Sequence, residues 1–344
     1  MPIRVRPLPA PDLRYSEGMN TEPLLYTAET FFDHPDFLAS GWESLFPGHS
    51  GLNFEIGMGY GHFLAWLAPR FPAQAFVGVD IVSKVLRGAE QRLRRALASQ
   101  ARPNVCISKQ DALMMLRELF PPASLDHLYI LFPDPWFKER HEHRRMLRED
   151  TLPLFASCLK TGGRLIFVTD DPPYAESALA LLNASPLFEA TAFPEIDVRT
   201  KYEKKWLQQA KPIHRLAYAR LPQADLPDTG TWRACPRDLC LPLADWQPAH
   251  FAALPQACYP LQFAHQGWYF KLHQPEATPA GLSFPLVIAE PRSLAQHSRL
   301  LLPPDGQIRI ADGPWLPYLQ RREQVMQALA AGLGHYLKEG VYAL

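Results

Sequence analysis

Short apolar runs alternate with apolar residues spaced at helical intervals along the first two thirds of the chain. GLNFEIG (residues 51–57) reads as a buried strand, followed by a glycine-rich turn and the apolar helix HFLAWLAPRF. AFVGVDI (residues 75–81) reads as a second strand. After it, Val85, Ala89, Leu93 and Leu97 recur every four residues, the spacing of one helical face. NVCISKQDA (residues 104–112), LDHLYILFPD (residues 125–134) and GGRLIFVTD (residues 162–170) supply third, fourth and fifth strands. Buried strands alternating with helices predict an α/β, doubly wound, mostly parallel sheet, with ligands outside the carboxyl ends of its strands.

From about Leu221 the rhythm changes, with clustered prolines and turn residues such as QADLPDTGT. The strand-like GWYFKLH and LSFPLVIA and the helical YLQRREQVMQALAAGLGHYL predict a small α+β C-terminal domain. The expected division is an N-terminal lead-in over 1–40, the α/β domain over 41–222 and the appended domain over 223–344.

A chain of 344 residues that is 47% hydrophobic is long enough to bury a sizeable core. No apolar run approaches the roughly 18 residues of a membrane span, and the start, MPIRVRPLPAPDLRY, lacks the apolar stretch of a secretory signal. The expectation is a cytoplasmic protein without a membrane partner. Five scattered cysteines read as free thiols of a reducing compartment and not as a metal knuckle. With 35 Lys+Arg against 35 Asp+Glu, net charge points to no nucleic-acid partner, so any such signal must be local.

The first turn, FEIGMGYGH, sets Glu55 ahead of Gly57, Gly59 and Gly61. Such glycines let the backbone approach a ligand closely. The dinucleotide fingerprint asks for a third glycine where His62 stands, and a carboxylate in the turn repels a pyrophosphate. A nucleoside carrying positive charge fits better, and S-adenosylmethionine is such a ligand. Asp80, ending the second strand, is placed to accept hydrogen bonds from ribose hydroxyls, and Asp111, after the third, lies near an adenine edge. The plain alternative makes these acids helix caps.

The fourth strand runs into FPDPW (residues 132–136), where Pro133 and Pro135 restrict the backbone around Asp134 and Trp136 offers an aromatic wall. Lys138, Arg140, Arg144, Arg145 and Arg148 follow. Read as a helix, the segment puts Arg140, Arg144 and Arg148 on one face as a phosphate track, against the alternative of a solvated charged face.

These residues resemble the tRNA (guanine-N7-)-methyltransferases over about residues 40–220. Glu55-Ile56-Gly57-Met58-Gly59 resembles the family's glycine turn, and Asp80 and Asp111 its two ribose-and-adenine acids. FPDPW-x-K-x-R-H-x-x-R-R is similar from Phe132 to Arg145, T-D-x-x-x-Y-A-E at Thr169, Asp170, Tyr174, Ala175 and Glu176, and T-[KR]-[FY]-E at Thr200, Lys201, Tyr202 and Glu203. The resemblance implies a seven-stranded S-adenosylmethionine-dependent methyltransferase sheet, tRNA contacts by Lys138, Asp170, Thr200, Lys201 and Glu203, a variable-loop guanine as target, and no metal. Asp171 stands where the family often has Trp, giving DDPPY, and the last 120 or so residues match nothing in the family. Asp134 is the expected catalytic residue, with Glu55, Gly57, Gly59, Asp80 and Asp111 for the cofactor, and Arg144 and Arg145 joining the tRNA contacts. Methylation of a small molecule and noncatalytic tRNA binding are the competing readings. No obligatory protein partner is expected, and a homodimer is left open.

Overall fold

The computed structural model describes residues 25–27, 37–136, 144–195, 212–222, 226, 239–243, 246–257, 259–290, 295–311 and 321–338. Its first sheet has eight strands: β1 (Tyr26–Thr27), β2 (Gly51–Ile56), β3 (Gln74–Val79), β4 (Val105–Ser108), β5 (Leu125–Leu131), β6 (Leu159–Thr169), β7 (Phe188–Ala190) and β8 (His214–Arg220). They lie in the order β1-β4-β3-β2-β5-β6-β8-β7. Strands β1 to β6 pair in parallel, while β8 runs antiparallel to β6 and β7. The five strands anticipated from the apolar runs form the centre of this mixed sheet. The expected count of seven becomes eight, because the two-residue β1 adds itself to the edge at β4.

Alternation along β2 shows how the sheet is covered. Phe54 and Ile56 face one apolar cluster, while Tyr129 and Leu131 of β5 face the other, with Met58, Phe63 and Leu64. The second cluster is closed by α1 (His62–Leu67) and α2 (Ser83–Ala96), whose Ala89 and Leu93 are fully buried together with Leu97 just beyond. The first takes in α3 (Ala112–Leu119), α4 (Leu152–Cys158) and α5 (Pro172–Ala184). Sequence reversal along the sheet occurs between β2 and β5, so the crevice of a doubly wound fold opens at their carboxyl ends.

The C-terminal part is richer in strand than the small α+β unit expected. Strands β9 (Leu241–Pro242), β10 (Leu261–His265), β11 (Trp268–Leu272), β12 (Glu276–Thr278), β13 (Gly281–Ala289), β14 (Gln296–Leu302) and β15 (Gln307–Ala311) form one antiparallel sheet. It lies against one long helix, α6 (Arg322–Lys338). Both runs read as strands are strands, and the final run is helical from Arg322 on in its described part. The reading fell short because five of the seven strands here are short or carry no apolar run long enough to stand out.

Burial joins the two parts. Leu272, Leu286, Val325 and Leu329 belong to the same apolar cluster as Phe54 and Leu128 of the first sheet. Arg321 seals the junction by hydrogen-bonding Glu118 of α3 and Glu290 while its guanidinium lies 5.0 Å from the Trp268 ring centroid. Among the described residues no helix is long and apolar enough to cross a membrane. Of the cysteines, Cys106 and Cys158 are buried and Cys240 is exposed, all three as free thiols.

Candidate active site

Parallel register brings the singled-out acids to one edge of the sheet. Ile56 pairs with Ile130 and with Val79, Val79 with Ser108, and Leu131 with Val168. The chain therefore leaves β2, β3, β4, β5 and β6 at nearly the same level, and the next residues carry Gly57, Asp80, Asp111, Asp134 and Asp170. The glycine turn and loop 132–136 stand on either side of the switch point.

In that turn Gly57, Gly59 and Gly61 all have positive φ, at 71°, 54° and 65°. A Cβ on Gly57 or Gly59 would meet nothing within 4 Å, so the turn borders open space, whereas one on Gly61 would come 3.1 Å from the Ala89 Cβ. The glycines thus serve two needs: the first two leave room for a ligand, and the third lets α1 pack on α2. Asp80 fixes the turn. Its carboxylate accepts the Gly59 N–H at 2.9 Å and the Val82 N–H at 2.9 Å. Beside it, Ile81 and Val82 are exposed at 58% and 49%, an apolar rim that periodicity alone did not mark as part of a site.

Glu55 is 2% exposed and its Oε2 has no hydrogen-bond partner. Burial, with the Asp80 charge adding to it, pushes the Glu55 carboxyl up to about 8. A buried, under-satisfied carboxyl beside open space suits a positively charged ligand group, which would restore the ionised form. Asp111 accepts the Met114 N–H at 2.9 Å as the N-cap of α3, so the capping alternative holds for one of its oxygens. Gln110, missed in the sequence, is buried next to it with Oε1 unpartnered.

Loop 132–136 is shaped by strain at both ends. Phe132 and Trp136 take positive φ, 50° and 45°, although neither is glycine. Such conformations cost on the order of 1–3 kcal/mol each and persist where surrounding contacts over-determine them. The Phe132 N–H donates to the Val168 carbonyl at 2.7 Å, holding the start to β6. The Arg145 Nε donates to the Pro135 carbonyl at 2.9 Å, and the Arg144 guanidinium lies 4.8 Å from the Trp136 ring centroid. Asp134 is exposed between these supports. The left-handed residues mean that the loop is not one extended pose set by its prolines; Pro133 and Pro135 stiffen its middle while Phe132 and Trp136 turn it.

The helix expected for the basic run is not present in its described part. Residues 145–150 form bends, turns and irregular backbone, so Arg144 and Arg148 do not share a helical face. Arg148 pairs with Asp150 at 2.8 Å instead. Asp170 is half-buried at the end of β6. Lys138, Thr200, Lys201 and Glu203, together with Arg140, lie outside the described residues.

A mostly parallel sheet with a glycine turn and acids at its strand ends, gathered around the switch point, is a methyltransferase-like fold. The family described as "Putative methyltransferase" (Methyltransf_4) matches residues 50–216. A tRNA (guanine-N(7)-)-methyltransferase of Thermotoga maritima is 38% identical over 173 residues, which cover 49% of this chain and 54% of that protein. Proteins of the same name from Cutibacterium acnes and Burkholderia cenocepacia are each 35% identical, with 67% and 71% of their lengths covered. The chain thus spans about half the length of the first of these relatives and two thirds or more of the others. It belongs to the tRNA (guanine-N(7)-)-methyltransferase family. Among solved structures, the antibiotic-resistance methyltransferase Kmr is similar over 53% of this chain and 92% of its own, at 21% identity and a TM-score of 0.37. Strand order and register, rather than that likeness, define the fold.

Proposed function

We propose that this chain transfers a methyl group from S-adenosylmethionine to N7 of a guanine in the variable loop of tRNA, in the cytoplasm and without an obligatory protein partner. The observation that carries the proposal is the placing of the glycine turn, with Glu55 and Asp80, directly beside the braced loop that presents Asp134. The relatives' names support the guanine N7 of tRNA as the target.

When bound, S-adenosylmethionine supplies an electrophilic methyl group on a cationic sulfur. Glu55, its Oε2 unpartnered in a buried setting, would face the cofactor's positive amino-acid end. Asp80 holds the glycine turn and retains acceptor capacity for ribose hydroxyls. Ile81 and Val82 would cover the apolar face of the nucleoside. Guanine N7 carries a lone pair and no proton, so the protein needs no general base there. Its work is to hold N7 in line with the methyl group and exclude water. Asp134 would accept a hydrogen bond from the guanine edge and stabilise the positive charge that develops on the ring. Arg144, Asp170, Lys138, Thr200, Lys201 and Glu203 would contact the tRNA. The proposal divides the chain into a catalytic domain over 41–222 and an appended C-terminal domain over 223–344, whose role is to stabilise the first.

Incubation with labelled S-adenosylmethionine and unmodified tRNA, followed by digestion to nucleosides, tests this. The expected product is 7-methylguanosine. Its absence from a folded protein that binds the cofactor would refute the proposal and favour a small-molecule substrate or noncatalytic tRNA binding.

A further inference from the structure

The departure from the family at Asp171 and the half-buried Arg145 meet at one place. Asp171 is the N-cap of α5 and accepts the Tyr174 N–H at 2.9 Å, with Pro172 and Pro173 filling the first helical positions. The cap fixes Tyr174, whose fully buried ring sits edge-on to Phe167 of β6, centroids 5.1 Å apart. The Tyr174 hydroxyl accepts the Leu147 N–H at 3.2 Å, and its ring lies 5.1 Å from the Arg145 guanidinium carbon. From there the Arg145 Nε reaches the Pro135 carbonyl, while Arg148 Nη1 donates to the carbonyl of Arg145. A continuous chain of contacts therefore runs from the rigid centre of the sheet to the far side of Asp134.

We propose that Arg145 is a positioning residue: seated on Tyr174, it holds loop 132–136 in its left-handed turns and so sets the place of Asp134. This rests on the reading of Asp134 as the guanine contact and gives Arg145 a role different from a phosphate ligand. A guanidinium suits the task because it offers an N–H of fixed direction and a flat face to the ring at once, which an ammonium does not. The Asp-Pro-Pro-Tyr stretch is, in the same account, the footing of this brace.

The discriminating variant is Arg145→Lys, which keeps the positive charge. Single-turnover methylation at saturating tRNA and cofactor is expected to slow about tenfold or more. The tRNA dissociation constant and its salt dependence are expected to stay at parental values. Amide hydrogen exchange at Phe132, Asp134 and Trp136 is expected to quicken. Parental turnover together with parental exchange would overturn the proposal. So would parental turnover with weaker tRNA binding and a salt slope reduced by about one, the mark of a phosphate contact. Should Arg145→Lys fail to fold, Arg145→Gln decides, since it removes both the Nε donor and the flat face over the ring: slower turnover with faster exchange supports the brace, and parental values of both refute it. A parent enzyme that makes no 7-methylguanosine would refute the proposed function instead, and the exchange measurement would then judge the brace alone.

Discussion

Glu55 shows what one side chain contributes before any substrate arrives. Burial, with the Asp80 charge adding to it, holds its proton up to about pH 8, against 4.5 for a free side chain. Between those values the folded state holds a proton that the unfolded chain has released, so stability falls as pH rises through this window. We predict that Glu55→Gln removes this loss, leaving the variant more stable than the parent at pH 9 by a few kcal/mol, an order-of-magnitude figure from about 1.4 kcal/mol per pKa unit. Urea unfolding at pH 5 and pH 9 reads it; equal pH slopes for both proteins would place the Glu55 carboxyl elsewhere. Asp80 has a different task, since its two oxygens hold Gly59 and Val82. Asp80→Ala is expected to weaken S-adenosylmethionine binding by about 1.5–3 kcal/mol, the range for hydrogen bonds to a charged group. Unchanged affinity in calorimetry would detach Asp80 from the cofactor.

At the scale of elements, the strand ends were legible because they combine a buried apolar run with a following acid, a pattern local enough to survive any tertiary arrangement. Thus Glu55, Asp80, Asp111 and Asp134 were picked out from the chain, Asp170 came only with the family resemblance, and register sets the ends of their strands at one level. In its described part, from Arg145 on, the basic segment was misread because helical spacing of arginines is a pattern of charges alone. Without an apolar stripe to bury, nothing in it favours a helix. The positive φ of Phe132 and Trp136 left no trace in the sequence either, since the contacts that brace the loop, Phe132 N–H to Val168 and Arg145 Nε to Pro135, come from residues outside it. Capping by Asp171 was legible in principle: an acid before Pro-Pro is a helix start signal. Asp171→Ala should cost about 0.5–2 kcal/mol of unfolding free energy through the lost cap. A variant as stable as the parent in denaturant titration would show that the prolines alone start α5. Arg144, exposed beside Trp136, is where a phosphate contact is expected. Arg144→Ala should lower tRNA affinity and reduce its salt slope by about one, and an unchanged slope would make it a loop contact only.

The whole molecule is held together at Arg321. Glu118 is 1% exposed, yet it belongs to α3 of the first sheet, and its guanidinium partner comes from just before α6 of the second part. Removing one member of a buried pair leaves the other charge without compensation. Arg321→Ala is therefore predicted to destabilise the protein by about 3 kcal/mol or more and to separate the unfolding of the two parts, seen as two transitions where the parent shows one. A single parental transition would mean that the shared apolar cluster alone couples them. This coupling was invisible in the sequence, where Glu118, Glu290 and Arg321 are scattered and ordinary.

The central claim, that a carboxylate presented by a braced loop holds guanine at the methyl group, is tested most directly by single-turnover methylation with Asp134→Asn at saturating tRNA and cofactor. The substitution is isosteric and lies at an exposed position, so fold and cofactor binding should remain parental. The account predicts a fall of about a hundredfold or more in 7-methylguanosine formation, as for one lost preorganised contact. Formation at the parental rate would contradict it.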